Sequence, residues 1–210
     1  MRHHAIAILA CTAAAISSPA AGQPRAPGIE SLIIVEINRA RADPAAYAEE
    51  LRRYRALFDG LVLRMPGSEI GLRTREGVAA VDDAIRFLTA QTPRPALAEA
   101  PLLASAAAEH VADQGPRGLE GHVGTDGKNS RDRIRRQGGG ARAATAEVIA
   151  YGRIDAAAVV RQLIVDDGVA GRGHRAILFS SYRSAGAACG DHAVHRHVCV
   201  VDFSASADGR

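Results

Sequence analysis

Tryptophan is absent from the 210 residues, and phenylalanine and tyrosine number only four each. A core without large rings must be filled by Ala, Val, Ile and Leu. Each of these removes little apolar surface from water, so close helix packing has to supply the difference. Lysine is nearly missing too: Lys128 is the sole lysine among 26 cationic residues. That skew reads as a bias toward Ala and Arg rather than a functional enrichment. The cations are interleaved with 23 acidic residues, giving a formal net charge of +3. This distribution excludes a nucleic-acid-binding stripe and a polybasic membrane patch. No apolar run reaches the roughly 17–25 residues that cross a bilayer, so no transmembrane anchor is expected. What is present, 47% hydrophobic and 23% charged residues, is the composition of a chain that buries a core. The length suits a single domain.

Cysteine is scarce, and its placement is informative. Arg2 precedes an apolar run from Ala5 to Ile16 and then the small residues Ser17 to Gly22, the pattern of a secretory signal peptide over residues 1–22. Leu9-Ala10-Cys11 only loosely resembles a lipoprotein site, because a cut there leaves too short an apolar region; Cys11 is expected to leave with the leader. The chain is then expected to be secreted, to the periplasm or the medium. In that oxidising setting the two remaining cysteines, Cys189 and Cys199, are expected to form one disulfide.

After a lead-in over residues 23–28, residues 29–210 are read as one domain. Helices are expected from Ile29, from Pro44 to Phe58 with Asp43 as cap, and from a Thr74 cap to Thr89. Further helices are expected from Leu102 to Gln114, after Ser130, from an Asp155 cap to Val165, and over a short turn from His174 to Phe179. Residues 60–71 are glycine-punctuated, and residues 91–101 are a proline-rich loop. Thr145 to Tyr151 alternates as a strand does. Two closing strands, Ala185 to Gly190 and His197 to Phe203, form a hairpin with the cysteines facing each other near its closed end.

Chemistry is concentrated in a few side chains. His110 lies among alanines and reads as a packed or surface helix residue. His122 sits instead in Gly121-His-Val-Gly124, and His174 in Gly171-Arg-Gly-His174, where glycines let solutes approach the ring. Glu147 is an isolated carboxylate in an apolar strand, and burial there demands a cationic or protic partner. Two imidazoles and two carboxylates from four separate segments, His122, Glu147, Asp167 and His174, are the types that build an open zinc site. His192, His195 and His197 fall at the hairpin tip, where a solvated turn is the simpler reading.

Six segments in order carry a resemblance: Gly121-His-Val-Gly-Thr-Asp-Gly127, Asp132-Arg-Ile134, Ala146-Glu-Val-Ile-Ala-Tyr-Gly152, Asp166-Asp-Gly-Val169, Arg172-Gly-His-Arg175, and Gly186-Ala-Ala-Cys-Gly190 with Val198-Cys-Val-Val-Asp-Phe203. Together they resemble a bacterial member of the CAP superfamily, whose SCP domain occurs in cysteine-rich secretory, antigen 5 and plant pathogenesis-related class one proteins. The likeness spans Ile29 to Phe203 and is strongest over residues 102–203. It implies an α+β fold, an α-β-α sandwich with a central antiparallel sheet and a large cleft. In some members two His and two acids of that cleft hold a divalent metal such as zinc. Carried over, the cleft residues are His122, Glu147 and His174, with His122 and His174 as metal ligands. The second acid falls at Asp167 or, as the alternative, Asp166. Ala146 and Val148 replace the family's usual Gly and Asn, and Asp is a methylene shorter than the usual Glu, which favours a water-bridged role.

The function implied is a non-enzymatic binding module for a small molecule, a lipid or a protein segment. One alternative is a metal-assisted hydrolase with Glu147 as general base; another is a structural envelope protein. The chain contains neither H-E-x-x-H nor G-x-S-x-G.

Overall fold

Capping and apolar spacing account for most of the helices in the computed structural model, which describes residues 28–139 and 143–210. The expected leader and residues 23–27 lie outside the described residues. Helix α1 (Ile29–Ala42) buries Ile33, Ile34, Ile37 and Ala40. Asp43 then caps α2 (Pro44–Arg55), its side chain accepting the Ala46 N–H at 2.9 Å. The helix stops at Arg55, short of the expected Phe58, because Phe58 enters a small antiparallel sheet. That sheet comprises β1 (Phe58–Asp59), β2 (Val62–Leu63) and β3 (Leu72–Arg73). Thr74 does not cap the next helix: its hydroxyl donates to the Leu61 carbonyl at 2.7 Å. Helix α3 (Val78–Ala90) starts after Gly77, at φ 60°, and buries Ala80, Val81, Ala84, Ile85 and Leu88.

A two-residue strand, β4 (Ala98–Glu99), interrupts the expected loop before α4 (Pro101–Gln114). Helix α5 (Ser130–Arg136) is capped by Asn129, which forms a reciprocal capping box with Asp132, so Ser130 is its first residue rather than its cap. Strand β5 (Thr145–Tyr151), helix α6 (Ala156–Val165) capped by Asp155, helix α7 (Gly173–Leu178) and the strands β6 (Ser184–His192) and β7 (Arg196–Ser204) complete the described chain.

The larger sheet has the order β4-β6-β7-β5. Strands β6, β7 and β5 are antiparallel neighbours, while β4 runs parallel to β6 at the edge. Cys189 and Cys199 face each other across the β6–β7 hairpin and are joined as a disulfide. Side chains alternate across the sheet. Val148, Ala150, Ala187, Val201 and Phe203 pack into the core shared with α1, α3 and α6. Ile149, Ala188, Val198 and Val200 face the other way, onto Ala107 and Val111 of α4. Helices therefore cover both faces, an α-β-α arrangement. Small residues set its tightness: a Cβ added at Gly186 would lie 2.1 Å from the backbone nitrogen of Ala104, so α4 rests directly on β6. Among the described residues, no helix is long and apolar enough to cross a membrane.

Candidate functional site

Two imidazole–carboxylate pairs emerge. The first is built on β5. Glu147 shares its face of the strand with Ile149 and is 6% exposed. Its Oε1 accepts the His122 Nδ1–H at 2.8 Å, and its Oε2 accepts from Arg133 Nη2 at 2.5 Å. Arg133, on α5, is itself buried and also donates to the carbonyls of His122 and Lys128. The loop carrying His122 is pinned at Gly121. The Gly121 carbonyl accepts from His110 Nε2 at 2.9 Å and from Gln114, and its N–H donates to the Tyr151 hydroxyl at 3.1 Å. His122 thus turns Nδ1 inward while half of its side chain stays exposed.

Beneath this pair lies an unexpected carboxyl. Asp202 is the cross-strand partner of Glu147, fully buried, and neither of its oxygens meets a hydrogen-bond donor among the described residues. Burial, then the negative charge of Glu147, raise its pKa well above the usual carboxyl range. His110, fully buried and with Nε2 4.0 Å from Glu147 Oε1, is pushed the other way by burial, toward the neutral ring.

The second pair sits where α6 ends. Asp166 occupies the left-handed C-cap position of α6, at φ 57°. Its Oδ1 accepts the His174 Nδ1–H at 2.7 Å, and its Oδ2 accepts the backbone N–H groups of His174 and Arg175. Asp167, the first expectation for the second acid, is engaged elsewhere: its two oxygens accept the N–H groups of Glu76 and Arg75 at 2.8 Å each. The left-handed turn at Asp166 separates the two carboxylates, so Asp166 is the one that holds His174.

Asp166, Asp167 and His174 line a cleft of about 310 Å³. Its walls are Tyr54, Phe58, Leu63, Met65, Leu72, Leu163 and Val165, with Arg73, Arg153 and Arg161 among them. His122 and Glu147 are not part of this lining: of the four expected residues these two pair with each other away from it, while His174, paired with Asp166 instead of Asp167, and Asp167 itself face the cleft. Zinc sites in proteins use three or four side-chain ligands. Among the described residues no three His, Cys, Asp or Glu side chains gather into such a group. The orientation device of metal-binding histidines, a carboxylate on the inner ring nitrogen, is nevertheless present in both pairs.

The hairpin tip departs from the solvated turn expected there. His192 is buried, its Nε2 donates to the Leu119 carbonyl at 2.9 Å, and its Nδ1 accepts the N–H groups of Val194 and His195. His195 pairs with Glu120 at 2.6 Å.

No protein-family model matches the chain, and no curated protein sequence matches it significantly. Solved structures similar to it include an outer surface protein of Borrelia burgdorferi. That likeness has 21% identity and a TM-score of 0.42, over 51% of this chain and 76% of that one. They also include an extracellular protein containing an SCP domain from Bacillus anthracis, with 18% identity and a TM-score of 0.44, over 62% of this chain and 38% of that one.

Proposed function

We propose that the protein is an exported binding module whose cleft takes a small amphipathic anion. One observation carries the reading. Arg73, Arg153 and Arg161 line the cleft, and among the described residues no carboxylate lies within ion-pair distance of any of them, Glu50 acting on Arg161 only at longer range. The acids there, Asp166 and Asp167, are instead saturated by backbone N–H groups and His174. Arg161 lies 4.7 Å from the ring centroid of Tyr54, a cation–π contact that holds it at the wall. An apolar pocket with a few convergent polar groups is the usual form of a small-ligand site. Here the apolar wall suits a hydrocarbon body, and the guanidiniums, which have no ion-pair partner among the described residues, suit a carboxylate or sulfonate head.

Decanoate titrated by calorimetry tests this. At about 0.5 kcal/mol per non-hydrogen atom, between the limits for tiny and drug-sized ligands, a twelve-atom ligand gives a Kd on the order of 10–50 μM. Decanol and decyltrimethylammonium should bind at least about tenfold more weakly, and Arg161→Ala should narrow that gap. Equal affinity for all three chains would refute the anionic preference.

The carboxylate-anchored rings favour a second reading, in which His122 and His174 offer Nε2 to a divalent ion such as zinc. Zinc titration followed through the imidazole resonances tests it: both rings must shift, and each shift must vanish in the corresponding His→Ala variant. A bound ion would supply Lewis acidity to a hydrolytic role; the protein's own contribution would be to fix both rings through Glu147 and Asp166.

A further inference from the structure

Residues 58–76 close one side of the cleft. They contribute Phe58, Leu63, Met65, Leu72, Arg73 and Thr74 to its lining. Much of the segment is open to solvent: Met65 and Leu72 of that lining are 43% and 46% exposed, and Ile70 is 83% exposed. The three strands are two residues each and hydrogen-bond to one another. Thr74 N–H and Oγ1–H both donate to the Leu61 carbonyl, which draws the two ends of the segment together. A segment with so little buried surface is drawn from the low end of local stability.

Its foot, by contrast, is tied down with unusual density. Asp167 accepts the N–H groups of Arg75 and Glu76. Reciprocally, Glu76 Oε1 accepts the Gly168 N–H at 2.6 Å, and both Glu76 oxygens accept from Arg172 at 2.6 Å. Arg172 also donates to the Asp166 carbonyl at 2.8 Å, so the same loop that presents Asp166 to His174 holds the foot of the segment. Packing here is close: a Cβ added at Gly168, at φ 75°, would lie 2.2 Å from Arg75 Cδ, so the Arg75 side chain would have to shift. Asp166 and Arg172, at either end of this loop, both have left-handed backbones at φ 57° and 53°, a conformation that non-glycine residues adopt only when the surroundings enforce it.

We propose that residues 58–76 are a lid over the cleft and that the reciprocal Glu76–Asp167 clasp, reinforced by Arg172, is its latch, setting how fast ligands enter and leave. The proposal rests on the cleft being a binding site. The latch joins charged side chains to backbone N–H groups at the surface, so it can break into water without exposing core. The apolar inner wall of the lid is what a hydrocarbon ligand would touch.

Stopped-flow binding of 8-anilinonaphthalene-1-sulfonate, an apolar anion displaceable by decanoate, tests the latch in Glu76→Ala and Asp167→Asn. Hydrogen exchange of the Leu61 to Thr74 amides is read alongside, on samples whose thermal midpoints confirm folding. The lid predicts that association and dissociation rates rise together by about tenfold, with Kd changed less than threefold and the lid amides exchanging faster as a group. Unchanged rates, or a Kd shift carried by dissociation alone, would overturn the latch while leaving the cleft reading intact. Absence of saturable, decanoate-displaced binding to the wild-type protein would overturn both.

Discussion

Replacing Asp202 with Asn should make the protein respond differently to pH, and the size of the difference follows from how this carboxyl is buried. Asp202 lies beside Glu147 on the sheet, fully excluded from water, with no donor on either oxygen among the described residues. Arg133 is the buried cation nearest the pair and already binds Glu147 at 2.5 Å. Charging Asp202 would place two carboxylates against one guanidinium, so the folded state keeps the proton to a pH well above the unfolded value of about 3.9. Between those two values the folded chain binds more protons than the unfolded one, so stability falls as pH rises, by about 1.4 kcal/mol per pH unit. The contribution is fully present below about pH 4 and disappears as pH rises through the folded-state pKa. Asn has the same shape and no proton to lose. Between about pH 4 and a higher pH still below the folded-state value, the wild type should therefore lose stability relative to Asp202→Asn, at most about 1.4 kcal/mol per pH unit, which is roughly 3–5 °C in thermal midpoint for a chain of this size. Urea denaturation of both proteins at the two pH values measures it. Parallel pH dependences would show that Asp202 is ionised in the fold and would refute the reasoning.

Removing the partner of that pair is expected to be far more damaging. Glu147→Gln leaves the buried Arg133 without its carboxylate and should cost about 3–5 kcal/mol in urea denaturation; a loss under 1 kcal/mol would mean that the guanidinium finds water. Gly186→Ala puts a methyl group against the backbone of α4 at Ala104 and Leu103. It should destabilise by about 1–3 kcal/mol or more, visible as a lowered thermal midpoint. Opening the Cys189–Cys199 bridge, whose cysteines are 10 positions apart, should cost about 2–3 kcal/mol on the loop-entropy scale, checked by denaturation of the Cys189→Ala/Cys199→Ala double variant.

The elements that could be read from sequence were those whose signal is local. Asp43 and Asp155 cap the helices expected of them, and the spacing of Val78, Val81, Ile85 and Leu88 matches the buried face of α3. The facing cysteines matched the hairpin. Strands β1 to β4 escaped because two residues carry no period, and their pairing depends on segments distant in sequence. In the site, glycine-flanked histidines and a lone strand carboxylate pointed to His122, His174 and Glu147. Asp166 and Asp167 were inseparable as letters, and a backbone angle divided their roles. Three members were missed. His110 resembled core in an alanine-rich helix, although it and Gln114 are the polar residues on that helix's buried face. Arg133 was one arginine of four in a basic helix. Asp202 did carry a signal, an acid inside Val200-Val-Asp-Phe203, which antiparallel pairing sets beside the equally isolated Glu147.

The cleft is tested most directly by mapping the contacts of a ten-carbon carboxylate on the isotope-labelled protein by NMR. The account predicts saturable shifts at the His174 imidazole, at the side chains of Arg73, Arg153 and Arg161, and at the methyl groups of Leu63, Met65 and Leu72, with the His122 ring unmoved. Shifts centred on His122 and Glu147, or none at the three arginines, would contradict it.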